Sequence, residues 1–159
     1  MIAAWVLVLG LLTLFFNGVL DDQYNPNRQL DAVVTEGEPQ EVVLVRNKFG
    51  HYVATGGING EAVVFMLDTG ATDVAVPLAL ANRLNLERGA EAVFNTANGK
   101  ITAWRTRLER VTLGGIELTN VRGSILPSME GDEVLLGMSF LKHLELVQRG
   151  NTLKIRQIR

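Results

Sequence analysis

A chain of 159 residues and 17.4 kDa, 47% of it hydrophobic, has the size of one domain and too much apolar surface for a disordered polymer. Fifteen Lys and Arg against seventeen Asp and Glu leave a formal net charge of −2, too balanced to draw the whole chain to nucleic acid or anionic lipid. The absence of cysteine excludes disulfides, thiol nucleophiles and Cys-ligated zinc, so any chemistry rests on oxygen or on two histidines.

Residues 1–20 contain sixteen apolar residues and no charged side chain. As a helix at about 1.5 Å per residue they cover about 30 Å, the depth of a hydrocarbon core. A cleavable signal peptide is the rival reading. It calls for Lys or Arg before the apolar run and a small-x-small exit, and Asn17-Gly18-Val19-Leu20 makes a poor cleavage site. The segment therefore reads as an uncleaved transmembrane anchor. Only Arg28 is available to the positive-inside rule, and the orientation expected is a short internal N-terminus with the bulk translocated. That is the topology of a single-pass membrane protein with its folded part on the translocated side. Residues 21–40, with five acidic side chains, two prolines and five apolar residues, read as a flexible polar stalk.

From residue 41 to 159 the pattern changes to short β-type runs separated by turn dipeptides: Asn59-Gly60, Asn98-Gly99, Gly114-Gly115 and Gly150-Asn151. Strands are expected at 41–46, 51–58, 61–67, 73–76, 91–97, 100–113, 116–125, 144–149 and 152–158. Short helices are expected at 77–84, where Pro77 suits a first turn, and at 138–143. The apolar phase slips between Trp104 and Leu108 and the later Val111 and Leu113, which predicts a bulge near Glu109 and Arg110. The whole is an all-β fold, a small closed barrel or sandwich of hairpins with one core.

The stretch AVVFMLDTGATDVAVP, residues 62–77, carries the chemistry. Val63 to Leu67 is continuously apolar and runs straight into Asp68-Thr69-Gly70, so a carboxylate stands at the end of a core strand. Desolvation there is costly unless backbone donors or a second titrating group receive the charge. Thr69 supplies a hydroxyl that both donates and accepts, and Gly70 allows a tight turn. Asp-Thr-Gly alone is also a reasonable turn sequence, but polar residues would then be expected before it. A second element, VLLGMSFL at 134–141, is an apolar run cut by Gly137 and opening into a short helix; glycine there permits close packing against another loop. A third is the hairpin at 91–104, whose Asn98-Gly99 tip is placed to fold over a cleft.

LDTGATD at 67–73 and VLLGMSFL at 134–141, with the hairpin between them, resemble the retroviral-type, retropepsin-like aspartic proteases, and in particular their single-pass bacterial members. The resemblance spans roughly residues 41–159 and implies the acid-protease barrel of that family. It implies that Asp68 is the catalytic acid, with Thr69 supporting the loop across a subunit interface and Gly70 completing the motif. By the same likeness Ala71, Thr72 and Asp73 line the substrate backbone, Asn98 and Gly99 form a flap tip, and Gly137 supports the loop. The flap departs from viral members in lacking their glycine-rich repeat.

Acid-protease chemistry uses two facing carboxylates, and the chain has one Asp-Thr-Gly, so it must pair with itself. In a two-fold homodimer the two Asp68 side chains lie about 3 Å apart and share a proton. One takes a proton from a bound water and the other polarises the scissile carbonyl of a peptide or protein substrate. No cofactor or metal is called for. His51 and His143 form no His-Glu-x-x-His pattern, and Ser139 has no Gly-x-Ser-x-Gly elbow around it. Arg105, Arg107 and Glu109 alternate as a solvated edge rather than a nucleic-acid strip. The expectation is a membrane-anchored aspartic endopeptidase. The alternative is a catalytically idle domain of the same fold serving as a binding or dimerisation module of the cell envelope, which would be expected to have lost its acid.

Overall fold

The computed structural model describes residues 2–30, 40–96 and 99–158. Among them the order is α1 (Ile2–Tyr24), β1 (Glu41–Val45), β2 (Val53–Ile58), β3 (Glu61–Leu67), β4 (Val74–Pro77), α2 (Leu78–Arg83), β5 (Glu91–Thr96), β6 (Gly99–Leu113), β7 (Ile116–Leu126), β8 (Glu133–Leu136), α3 (Met138–Leu141), β9 (Leu144–Arg149) and β10 (Thr152–Gln157). The hairpins expected from the turn dipeptides form as β2–β3, β5–β6, β6–β7 and β9–β10.

Six strands close on themselves in the order β2-β3-β8-β4-β7-β6, with β6 returning to β2 through Gly57 opposite Thr112 and Ile58 opposite Val111. Closure removes the exposed edges that an open sheet would present. Gly56 makes it possible: a β-carbon there would stand 2.3 Å from the Thr112 carbonyl oxygen and 2.7 Å from the Phe65 ring. Two pairings are parallel, β3 with β8 and β4 with β7, because each joins strands separated by long connections. β5 hangs from β6 outside the ring, and β1, β10 and β9 form a second, antiparallel sheet. Phe65, Ile58, Leu108, Leu113, Ile116, Ile125, Leu136 and Phe140 fill the barrel, and Leu44 and Ile155 of the second sheet belong to the same buried cluster. This is the retropepsin-like, mostly β architecture the motifs imply.

Two details differ from expectation. No residue is inserted near Glu109: Leu108 faces Val121 and Arg110 faces Thr119, so the register is continuous. The change of buried phase is accommodated instead on β7, where Asn120 takes φ +58°, a left-handed conformation that asparagine tolerates. Second, α1 continues four residues past Leu20 to Tyr24, and residues 25–30 are seated on the barrel rather than swinging as part of a stalk. The segment has little apolar surface, but its asparagines satisfy backbone groups on two strands. Asn27 donates from Nδ2 to the carbonyls of Val45 (2.9 Å) and Val53 (2.7 Å) and accepts from the Val45 amide (2.7 Å). Residues 31–39 lie outside the described part. Among the described residues, one helix, Ala4–Tyr24, is long and apolar enough to cross a membrane, with mean hydropathy 1.9 and no buried residue in its most apolar stretch.

Candidate active site

Asp68 is placed by two core strands. β3 and β8 run parallel with Leu67 beside Leu136, and the Asp68 amide adds one more bond, to the Leu136 carbonyl at 3.2 Å. The chain then leaves the sheet and turns. The Ala71 amide donates to the Asp68 carbonyl (3.2 Å), and the Gly70 amide donates to Asp68 Oδ1 (2.8 Å), so a backbone donor meets the carboxylate where the apolar strand delivers it. Asp68 is half-buried, while Thr69, Gly70 and Thr72 are exposed and Ala71 is intermediate. The carboxylate thus stands among exposed residues on a loop whose backbone is held from behind.

What holds it is the junction of β8 and α3. The amides of Met138 and Ser139, at the start of α3, donate to the carbonyls of Ala71 (2.8 Å) and Thr72 (2.9 Å). Ser139 is buried and its hydroxyl bridges two further strands, donating to the Arg122 carbonyl (2.7 Å) and accepting from the Val74 amide (3.0 Å). Gly137 packs so closely that a β-carbon there would come within 2.6 Å of the Ala71 carbonyl oxygen. The two motifs, nearly seventy residues apart in the chain, are therefore one structural unit in space.

Asp73 is oriented differently from the other loop residues. Its side chain is 7% exposed, and Oδ1 accepts from Arg122 Nε at 2.5 Å. Its carboxylate thus fastens the loop to β7. Neither this pair nor the bridging role of Ser139 has a local signature: the partners lie 49 and 65 residues apart and meet only once the barrel closes. The hairpin expected at 91–104 is present as β5 and β6, with Thr96 facing Gly99, which takes φ +110°. Asn98 lies outside the described residues. At the root of the hairpin the Gly89 amide donates to the Arg105 carbonyl (2.7 Å), and the Arg88 guanidinium lies 4.8 Å from the Trp104 ring centroid. His51 and His143 are both exposed.

Residues 54–143, more than half of the chain and spanning both motifs and the flap, match the family model described as "gag-polyprotein putative aspartyl protease". The chain belongs to this family of retropepsin-like aspartic proteases. Among curated relatives, an uncharacterized protein encoded in the cobV 5' region of Sinorhizobium sp is 32% identical over 135 residues, covering 82% of this chain and 58% of the relative. An uncharacterized protein of Rickettsia prowazekii (strain Madrid E) is 26% identical over 152 residues, covering 91% and 64%. The chain therefore spans about three-fifths of the length of these relatives. Among solved structures, a retropepsin-like aspartic protease from Rickettsia conorii superposes with a TM-score of 0.60 at 29% identity, over 72% of this chain and 97% of that one. The EIAV protease, solved with the inhibitor HBY-793, shares the fold at a TM-score of 0.50 and 20% identity, over 62% of this chain and 92% of that one. The matched residues thus take in the half-buried Asp68 on its pinned loop, the Gly137 junction packed behind that loop and the β5–β6 hairpin.

Proposed function

We propose that this retropepsin-like chain is a membrane-anchored aspartic endopeptidase whose catalytic dyad is made of two Asp68 side chains from two copies of the chain. Residues 1–20 form the anchor, and residues 41–159 form the protease domain on the periplasmic side. The observation that carries the reading is the half-buried Asp68 carboxylate, presented at the mouth of a loop locked by Gly137, Met138 and Ser139. A single carboxylate of this kind takes a proton from water but cannot at the same time act as the acid that polarises the carbonyl oxygen.

In the dimer the ionised Asp68 removes a proton from the water held between the pair, and the water oxygen attacks the scissile carbonyl carbon. The protonated twin polarises the carbonyl oxygen and hydrogen-bonds it as negative charge develops. Collapse of the tetrahedral species breaks the C–N bond, with the proton taken from water delivered to the leaving amine. Exposed Thr69 and Gly70 belong to the face that meets the twin, while Ala71, Thr72 and the flap tip at Asn98 and Gly99 contact an extended peptide in the manner of strand addition. Confinement of both copies to a bilayer raises their effective concentration and assists pairing.

The test is cleavage of a peptide library by the full chain in vesicles, with pepstatin as a transition-state mimic and Asp68→Asn as the variant. The expected result is pepstatin-sensitive cleavage that falls by about a thousand-fold or more in Asp68→Asn, with an unchanged circular dichroism spectrum. Equal cleavage by wild type and variant overturns the proposal.

A further inference from the structure

The end of α1 is fastened to the end of the barrel that carries Asp68. β2 and β3 are antiparallel with Val53 opposite Met66, so the residues before Val53 and those after Leu67 share one end of that hairpin; the Leu67 amide donates to the Tyr52 carbonyl there (3.0 Å). The end of α1 meets the turn before β2 there: the Tyr24 carbonyl accepts from Asn47 Nδ2 (2.9 Å) and Lys48 Nζ donates to Gln23 Oε1 (2.9 Å), while the Tyr24 ring reaches away along the barrel, its hydroxyl donating to Glu133, which opens β8 beside Val64. Asn27 then clamps the ends of β1 and β2, and its carbonyl accepts from the Thr55 amide (3.1 Å). Asn27 bridges to Ala54, which faces Phe65, three residues before Asp68. At about 3.3 Å per residue the acid lies about 10 Å along the strand from this clamp. No free linker intervenes between helix and barrel.

The turn that grips the helix also carries an exposed ring. Phe49 is 59% exposed, its ring centroid 6.3 Å from that of Tyr24 and 5.1 Å from Lys48 Nζ. It lies at the foot of a helix whose apolar residues 4 to 20 are all exposed. An aromatic side chain and an ammonium at the polar end of an apolar helix are the groups that settle at headgroup level.

The geometry points to the 47–50 turn as a second contact with the bilayer, seating the Asp68 end of the barrel on the membrane surface and limiting substrates to peptide segments that emerge from the membrane close by. This rests on the anchored-protease reading above. A freely tethered domain would sample bulk solution; this one is held at one height, so a segment far along a soluble region reaches it only by returning to the surface.

Because the chain has no cysteine, single labels are clean. Phe49→Cys, and Glu61→Cys at the opposite, exposed end of the β2–β3 hairpin, each carry a polarity-sensitive fluorophore in the full chain reconstituted in phosphatidylcholine and phosphatidylglycerol vesicles. Nitroxide lipids should remove most of the emission at position 49 and leave position 61 unquenched. Vesicles that float with the protein but show equal emission at the two positions overturn the seating while sparing the anchor; protein that fails to float with vesicles overturns both. In a second arm, two reporters carry the same cleavable segment about 5 or about 40 residues from their own membrane span. The near reporter should be cut at least about ten-fold faster, and equal rates overturn the substrate restriction. Were neither these nor any soluble peptide cut, the protease reading would fall and the substrate restriction with it, while the quenching arm would still decide the seating.

Discussion

Gly137 stands against the Asp73 carbonyl oxygen with no room for a side chain: a β-carbon at 137 would lie 2.2 Å away. The backbone of Gly137 itself is ordinary, at φ −91° and ψ −172°, so what the position demands is space rather than conformational freedom. Because the atoms in conflict are main-chain oxygens of the Asp68 loop, relief requires moving that loop or separating β8 from it. Gly137→Ala should therefore lower stability by about 3 kcal/mol, the upper part of the range for overpacking, and reduce peptide cleavage further than the loss of folded protein accounts for. Urea denaturation alongside activity per folded molecule separates the two effects.

The Asp73–Arg122 pair should respond unequally to removal of its two members. Asp73 is 7% exposed at its side chain and Arg122 is 49% exposed, so only the carboxylate is stranded when its partner goes. Arg122→Ala leaves a buried charge without a donor and should cost about 2–3 kcal/mol. Asp73→Asn keeps an acceptor for the guanidinium, which also has access to water, and should cost about 1 kcal/mol or less. Chemical denaturation of both variants checks the order. A larger loss for Asp73→Asn would mean that the carboxylate does something other than fasten the loop.

These two residues also mark the limit of what the chain reveals in one dimension. Asp68-Thr69-Gly70 was legible because an acid directly after Val63 to Leu67 breaks the expected pattern, and Gly137 because a single glycine interrupts an apolar run. The hairpins were legible from Asn59-Gly60 and its counterparts, since turn chemistry is local. Arg122 stands in a strand that mixes polar and apolar residues, and Ser139 is one hydroxyl in an apolar run, so neither carries a local mark; their partners become neighbours only when β4, β7 and β8 come together. Asn25, Asn27 and Asn47 were hidden for a different reason. Composition measures how much apolar surface a segment can bury, and is blind to side-chain amides that substitute for a missing strand partner.

Asn27 gives that blindness a measurable consequence. Its amide group makes three bonds to the backbones of Val45 and Val53, with the nitrogen donating twice and the oxygen accepting once. Asn27→Ala should leave these buried groups unpaired and cost about 2–3 kcal/mol, while speeding amide exchange at Val45 and Thr55. Asn27→Asp has nearly the same shape but cannot donate, and its carboxylate would face two carbonyl oxygens. It should be no better than alanine. Recovery of wild-type exchange rates with aspartate would show that shape rather than donor chemistry holds the α1 junction.

The shared dyad makes a quantitative prediction about mixtures. If each active unit needs two Asp68 carboxylates, a dimer of one wild-type chain and one Asp68→Asn chain lacks either the base or the acid. Random exchange at equal concentrations produces wild-type, mixed and variant dimers in the statistical ratio of about 1:2:1. Adding an equal amount of Asp68→Asn chain to a fixed amount of wild type should then lower the cleavage rate to about half, once subunits have exchanged, and larger excesses should lower it further. The substitution removes only a negative charge from a partly exposed carboxylate, and the Asn oxygen still accepts from the Gly70 amide, so the variant remains a competent partner. A rate that stays constant across the titration, with mixed dimers demonstrated by differently tagged chains, would mean that one Asp68 suffices and that the hydrolytic unit is not built by symmetry.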